Sequence, residues 1–206
     1  MVRVLKIDRD NLDLSLLQQA ARLIKEGEVI AFPTETFYGL GADALNPKAV
    51  EKLFEIKQRD RRNPILILVS NFTQVLDLVE NVPTQAQPLI TRLWPGPLTL
   101  VFKASNKVPN ILTAGTGKIG IRIPGDPLTH QLLKVMAAPL TATSANRAGE
   151  ESPTTAQQVL QTLGAELALI LDAGPTPGGL PSTVVDVTTS PITLLRKGQI
   201  PEKMLE

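Results

Sequence analysis

Short apolar runs of strand length alternate in this chain with longer segments whose apolar residues recur at helical spacing. The runs EVIAFP, NPILILVS and LTLVFKA begin at Glu28, Asn63 and Leu98. Helical spacing is present over residues 12–27 and 46–59. The alternation of these two periods predicts an α/β fold, a twisted and mostly mixed β-sheet flanked by helices.

Local signals place the ends of several predicted elements. Asn46 is expected to cap a helix that has Pro47 in its first turn, and Thr154 and Gln157 have the spacing of a capping box. Gly39 and Gly41 predict a turn after the strand that Pro33 ends.

Composition narrows the class of protein. The 206 residues are 43% hydrophobic and 20% charged, which favours one folded domain over residues 1–206 rather than disorder. The chain has no cysteine, so disulfides, zinc ribbons and thiolate catalysis are excluded. A formal net charge of +1 gives no general case for membrane or nucleic-acid binding. With no signal peptide or membrane span recognisable, we expect a cytoplasmic protein.

Two familiar site patterns fail on their context. GTGKIG at residues 115–120 spells a dinucleotide fingerprint, but a loop precedes it and a strand follows it, whereas the fingerprint needs a strand and then a helix. It is no Walker A loop either, because Ile119 follows Lys118. His130 is the one histidine, so a histidine metal cluster is excluded, and no serine-nucleophile elbow is present.

Three polar stretches remain as candidates for a site. PTETFYGLG begins at Pro33, TSANRAG begins at Thr143, and KQRDRR occupies residues 57–62. The basic stretch has two open interpretations, a solvated helix terminus that complements the macrodipole or a clamp for phosphate groups.

Side chains from these stretches and from later predicted strands lie at or beside the strand ends. Such ends converge on a ligand crevice in open α/β sheets. Hydroxyls, an amide and guanidinium groups in one crevice suit a polyanion together with a small zwitterion. The side chains are Thr36, Arg59, Arg122, Ser144, Asn146, Ser182 and Arg196.

The same stretches resemble the signatures of the YrdC-like family, the threonylcarbamoyl-AMP synthases of tRNA modification. PTETFYGLG is similar to the family's proline-threonine-acid-threonine signature, KQR to its Lys-x-Arg element, and SAN to its Ser-x-Asn element. IGIRIP, SPTT, PSTVVD and LLRKG follow in the family's order, so the resemblance covers residues 30–198.

The resemblance implies a nucleotidyltransferase, an L-threonylcarbamoyladenylate synthase with a basic concave face. Its substrates would be L-threonine, bicarbonate or CO2, and ATP, and its products threonylcarbamoyl-AMP and pyrophosphate. The product would pass to a downstream t6A transferase complex that modifies tRNA. Mg2+ is expected to accompany ATP, held mainly by the phosphates because the sequence shows no carboxylate cage.

Roles for individual residues also follow from the resemblance. Lys57 and Arg59 are expected to be catalytic. The residues expected around threonine are Thr36, Arg122, Ser144 and Ser182. Those expected around ATP are Arg59, Asn63, Lys118, Asn146, Thr154 and Arg196.

An alternative function belongs to another class. A basic concave face could bind tRNA or double-stranded RNA without catalysis, by shape and phosphate contacts, because aromatic residues are only 3% of the chain. Formation of an adenylate from ATP and threonine would distinguish the enzyme from the binding module.

Overall fold

A computed structural model describes residues 2–205. The strands are β1 (Arg3–Lys6), β2 (Ile30–Pro33), β3 (Tyr38–Gly41), β4 (Leu66–Leu68), β5 (Leu98–Lys103), β6 (Lys118–Arg122), β7 (Leu140–Ser144), β8 (Leu169–Asp172), β9 (Thr183–Asp186) and β10 (Thr193–Arg196). The helices are α1 (Leu14–Lys25), α2 (Pro47–Lys57), α3 (Phe72–Leu78), α4 (Gln87–Leu93), α5 (Asn110–Thr113), α6 (Pro127–Met136) and α7 (Ala156–Leu163).

These strands form one mixed sheet in the order β1-β8-β2-β3-β7-β4-β6-β5-β9-β10. Strand β8 is parallel to both β1 and β2, while β3 pairs antiparallel with β2 and β7. Strands β4 and β6 are parallel, as are β5 and β9. The predicted α/β class with a mixed sheet is therefore confirmed.

Alternation along the strands divides the core between the two faces of the sheet. Ile30 and Phe32 of β2 pack in one cluster with Leu17 of α1 and Leu132 of α6. Ala31, between them, belongs to the other and larger cluster, because successive strand residues point to opposite faces. Helices thus cover both faces, and no helix in the described range 2–205 has the length and apolarity needed to cross a bilayer.

Helix capping agrees with the sequence at one site and differs by one residue at another. Asn46 Oδ1 accepts from the backbone nitrogen of Lys48 at 3.1 Å, as a cap should. The capping box of α7 pairs Thr155 with Gln158, so the predicted pairing of Thr154 with Gln157 was wrong. Thr155 is the last extended residue before the helix, with φ −133° and ψ 151°, and only that residue can act as the cap.

The predicted turn at the two glycines is also wrong, because residues 38–41 form strand β3 in the middle of the sheet. Their role is close packing. A Cβ atom on Gly41 would lie 2.7 Å from a ring carbon of Phe32 and 2.9 Å from a methyl carbon of Leu140. Glycine permits these neighbours to approach the backbone.

Candidate active site

A cavity of about 570 Å³ lies against one face of the sheet. Its walls come from seven strands that are adjacent in the sheet, β3, β7, β4, β6, β5, β9 and β10, and from neighbouring loops. The cavity therefore crosses the middle of the sheet, where Val101 and Gly120 line it, and is not confined to strand ends as the sequence suggested. Its polar lining includes Thr34, Thr36, Arg59, Thr116, Lys118, Arg122, Ser144, Ser152, Ser182, Asp186 and Arg196.

The segment after β2 forms a tight turn of hydroxyl groups. The Thr34 hydroxyl donates to the carbonyl oxygen of Phe37 at 2.8 Å and accepts from the backbone nitrogen of Thr36 at 3.1 Å. The two threonine hydroxyls lie 3.1 Å apart, and both residues are buried. Thr36 is thus held at the cavity wall by its own local turn.

Arg122 of β6 is a buried cation at the cavity wall. Its Nη1 atom donates to Glu35 Oε1 at 2.6 Å, and the Arg122 side chain is only 5% exposed. Burial lowers the pKa of Arg122, while the charges of Glu35 and Asp126 act in the opposite direction. Within residues 2–205, Arg122 Nε and Glu35 Oε2 are buried without a hydrogen-bond partner. Glu35 therefore satisfies only part of the hydrogen-bonding capacity of this arginine.

Two other arginines line the same cavity as Arg122. Arg196 of β10 donates through Nη2 to Ser182 Oγ at 3.0 Å, and Arg59 donates through Nη2 to the carbonyl oxygen of Pro64 at 2.9 Å. Burial, and then the charges of Arg122 and Arg59, lower the pKa of Arg196. Burial alone lowers the pKa of Arg59. Guanidinium groups that are partly desolvated and repel one another favour a bound anion.

Lys118 stands at the other end of β6 and pairs with a carboxylate. Its Nζ atom donates to Asp186 Oδ2 at 2.8 Å. Burial raises the pKa of Asp186, but the hydrogen bonds from Lys118 and Thr188 outweigh it, so the pKa falls below its usual value. Because alternate residues share a face of a strand, Lys118, Gly120 and Arg122 form one row along the cavity floor.

Lys57, expected to be catalytic, lies behind the cavity wall and does not line it. Its Nζ atom donates to the carbonyl oxygens of Ser144 at 2.5 Å and Asn146 at 2.7 Å, and to Asn146 Oδ1 at 3.1 Å. Burial, and then the charge of Arg59, lower the pKa of Lys57 to about 8. All three ammonium donors are therefore committed to the end of β7 and the loop that follows it.

The structure brings most, but not all, of the expected site residues together. The cavity is lined by Thr36, Arg59, Lys118, Arg122, Ser144, Ser182 and Arg196. Asn63 and Thr154 do not line it, and Asn146 lies in a neighbouring pocket of about 250 Å³ that shares Ser152 with it. The roles assigned to individual residues remain predictions.

Sequence reasoning missed Glu35, Asp186 and Thr99 as partners of site residues. Glu35 lies within the PTETFYGLG stretch, so the sequence marked this residue as part of a site. Nothing in that stretch indicated that its partner is Arg122. Asp186 and Thr99 read as ordinary strand residues, and only the sheet order places them beside Lys118 and Ser182.

Comparison with known proteins identifies the family. The pattern that defines the Sua5, YciO and YrdC proteins, described as "Telomere recombination", matches residues 22–198. The chain belongs to this family.

Members of the Sua5/YciO/YrdC family include two similar curated proteins, each named threonylcarbamoyl-AMP synthase. The protein from Pyrococcus abyssi is 40% identical over 96% of this chain and 58% of its own length. The protein from Bacillus subtilis is 42% identical over 92% of this chain and 55% of its own length. The chain thus spans little more than half of these relatives.

The family fold is also found in a solved structure, the crystal structure of P. abyssi Sua5 complexed with L-threonine. It superposes with a TM-score of 0.93 at 38% identity, covering 98% of this chain and 59% of that one. The fold described above is therefore that of a YrdC-like domain, as the resemblance implied.

Proposed function

We propose that this chain is an L-threonylcarbamoyladenylate synthase, which makes threonylcarbamoyl-AMP and pyrophosphate from L-threonine, bicarbonate or CO2, and ATP. The observation that carries the proposal is the cluster of Arg59, Arg122 and Arg196 around one cavity. A volume of about 570 Å³ falls in the usual range for small-molecule sites. The names of the relatives support the same reaction.

The amino-acid end of the cavity is assigned to Arg122. Arg122 donates to Glu35 through Nη1, so its remaining N–H donors can hold the carboxylate of threonine. Thr36, Ser144 and Ser182 offer hydroxyls at the same cavity for the rest of the amino acid. The L-threonine complex of P. abyssi Sua5 supports this use of the site.

The phosphate end is assigned to Arg59, Lys118 and Arg196. Arginine offers a bidentate fork to phosphate oxygens and lysine offers a point charge.

In the reaction, the amine of threonine adds to CO2 and loses a proton, which gives a carbamate. A carbamate oxygen then forms a bond to the α-phosphorus of ATP, and the bond from that phosphorus to pyrophosphate breaks.

Positioning and charge stabilisation account for this chemistry without a covalent intermediate on the protein. Holding two reactants in the correct geometry can contribute about 7–11 kcal/mol to lowering the barrier. Cationic groups aimed at the transferring phosphoryl group supply a further part. The cavity offers both, so neither a histidine base nor a cysteine is required.

We expect Mg2+ at this site as a companion of ATP. No group of three or more His, Cys, Asp or Glu side chains within residues 2–205 could hold a metal ion. Asp186 and Glu35 are each paired with a cation. The ion would therefore be held mainly by phosphate oxygens, and its chemistry would be to neutralise their charge.

Incubation with ATP, bicarbonate and each amino acid in turn tests the proposal, with mass detection of the adenylate and measurement of pyrophosphate. We expect threonylcarbamoyl-AMP with threonine, and much less product with valine, because a site that hydrogen-bonds a hydroxyl rejects the analogue without it. Binding of double-stranded RNA without any adenylate would contradict the proposal and favour the non-catalytic module.

A further inference from the structure

Thr99 of β5 is a buried hydroxyl that lies directly behind the cavity. The residue is 1% exposed and does not line the cavity. Its Oγ1 atom lies 3.0 Å from Ser182 Oγ, and its neighbour Leu98 pairs with Thr183 where β5 runs beside β9. Thr99 therefore reaches substrate only through Ser182.

Ser182 also has a charged neighbour. Arg196 donates through Nη2 to Ser182 Oγ at 3.0 Å and to the Ser182 carbonyl oxygen at 2.9 Å. Nε of Arg196 donates to the same carbonyl oxygen at 3.1 Å. Because guanidinium has no acceptor, the Ser182 hydroxyl must act as the acceptor in its contact with Arg196.

The contact between the two hydroxyls can be made in two ways. If Ser182 donates to Thr99, the Thr99 proton is left buried, and no other acceptor for it is found among residues 2–205. A buried donor without an acceptor is costly. If Thr99 donates to Ser182, both hydroxyls are satisfied once the Ser182 proton meets an acceptor in the cavity. An acceptor on a ligand therefore favours the second arrangement.

We propose that Thr99 is a positioning residue that makes the Ser182 hydroxyl donate to an anionic oxygen of the substrate, beside Arg196. This inference rests on the proposed function of the cavity. The oxygen has two candidate sources, the carboxylate of the amino acid and a phosphate of ATP. Both are anionic acceptors, and separate measurements for each substrate distinguish them.

Thr99→Val is the first test, because valine keeps the shape of the side chain and its methyl group near Gly120 but lacks the hydroxyl. We expect binding of one substrate, measured by calorimetry with L-threonine and ATP separately, to weaken about threefold to tenfold. Binding of the other substrate is expected to remain unchanged. Thr99→Ser restores the hydroxyl and is expected to restore the affinity.

A double variant tests whether Thr99 acts through Ser182. In a Ser182→Ala background, Thr99→Val is expected to have no further effect on either affinity. Thr141→Val is the matched control, since Thr141 is also a buried strand threonine whose hydroxyl accepts from the Ala42 backbone nitrogen at 2.8 Å. It is expected to lower the melting temperature and leave both affinities unchanged.

The outcomes separate this role from the proposed function. If the wild-type chain bound neither ligand, the proposed function would fail, and the inference with it. Unchanged affinities in Thr99→Val would overturn the role of Thr99 alone. Equal weakening for both substrates, or additive losses in the double variant, would overturn it too, because they indicate distortion of the β5–β9 wall.

Discussion

At the scale of single residues, the site is dominated by cations that differ in what they contact. Arg59 lies at the cavity, while Arg61 and Arg62 of the same basic stretch pair with Glu51 and Asp60 at the surface. Both interpretations of the basic stretch therefore hold for part of it. Arg59 reaches the cavity, as a phosphate clamp requires, while Arg61 and Arg62 are solvated. Arg59 is the residue to test.

Arg59→Ala is expected to weaken ATP binding by about 1.5–3 kcal/mol, because a charge-assisted hydrogen bond to phosphate is lost. Threonine binding should change little. Calorimetry with each substrate measures both values, and Arg61→Ala is the matched control, since its side chain is 63% exposed. Equal losses for the two substrates in a folded variant would contradict the phosphate assignment.

Lys57 gives a prediction about pH. Its pKa of about 8 in the folded protein lies below the ordinary value of 10.5. Between these values the unfolded chain binds more protons than the folded one, so this group adds to the free energy of unfolding as pH rises. Below pH 8 the buried Lys57 is charged and lowers the free energy of unfolding by its full amount. Above pH 8 it loses its proton in the folded protein, and this destabilisation is progressively removed.

We therefore expect the free-energy difference between the wild type and Lys57→Met to shift in favour of the wild type from pH 7.5 to pH 9.5. Urea unfolding at both values measures the shift, and Lys134→Met serves as the comparison, because Lys134 is an exposed lysine of α6. A pH-independent difference would mean that Lys57 keeps its ordinary pKa.

At the scale of elements, the start of α7 offers a test of which threonine, Thr154 or Thr155, caps the helix. Thr155 makes the reciprocal contacts of the capping box, with Oγ1 accepting from the Gln158 backbone nitrogen at 3.3 Å. Among the contacts within residues 2–205, the Thr154 hydroxyl makes one of 3.4 Å to the Gln158 side chain and none to the helix backbone. The two neighbouring threonines are thus a natural pair of test and control.

Thr155→Ala is expected to lower the free energy of unfolding by about 1 kcal/mol, the usual cost of losing an N-cap. Thr154→Ala should cost clearly less. Urea unfolding of both variants gives the comparison. A larger loss for Thr154→Ala would favour the capping box that the sequence predicted and contradict the one seen in the structure.

At the scale of the whole molecule, the cavity joins strands that are distant in the chain. Its lining runs from Thr34 in the loop after β2 to Arg196 of β10, and β3 and β10 are separated by five strands in the sheet. A ligand that touches all these walls binds only the folded state. Ligand binding should therefore stabilise the entire fold.

ATP at about one hundred times its dissociation constant is expected to raise the free energy of unfolding by about 2.7 kcal/mol. Threonine should add a second increment. Arg122→Lys keeps the charge but loses the fork, so it is expected to retain the ATP increment and lose most of the threonine increment. Thermal unfolding with each ligand checks this, and an undiminished threonine increment would remove Arg122 from the amino-acid subsite.

The sequence by itself determined the elements whose signals are local. Periodicity identified the α/β class, Asn46 and Pro47 marked the start of α2, and Pro33 marked the end of β2. The predicted strand ends also singled out three of the cavity cations, Arg59, Arg122 and Arg196, and the family resemblance added Lys118. These predictions succeed because hydrophobic period and capping depend on residues a few positions apart.

Tertiary structure alone decided which residues meet. Residues 38–41 form a strand rather than a turn because Phe32 and Leu140 pack against their glycines. Glu35 partners Arg122 from 87 positions away, and Thr99 lies behind Ser182 from 83 positions away. Lys57 donates to the end of β7 and the loop after it, at residues 144–146, instead of lining the cavity. Such contacts depend on strand order and on burial, which no local pattern encodes, because burial decides which partner a charged group must find.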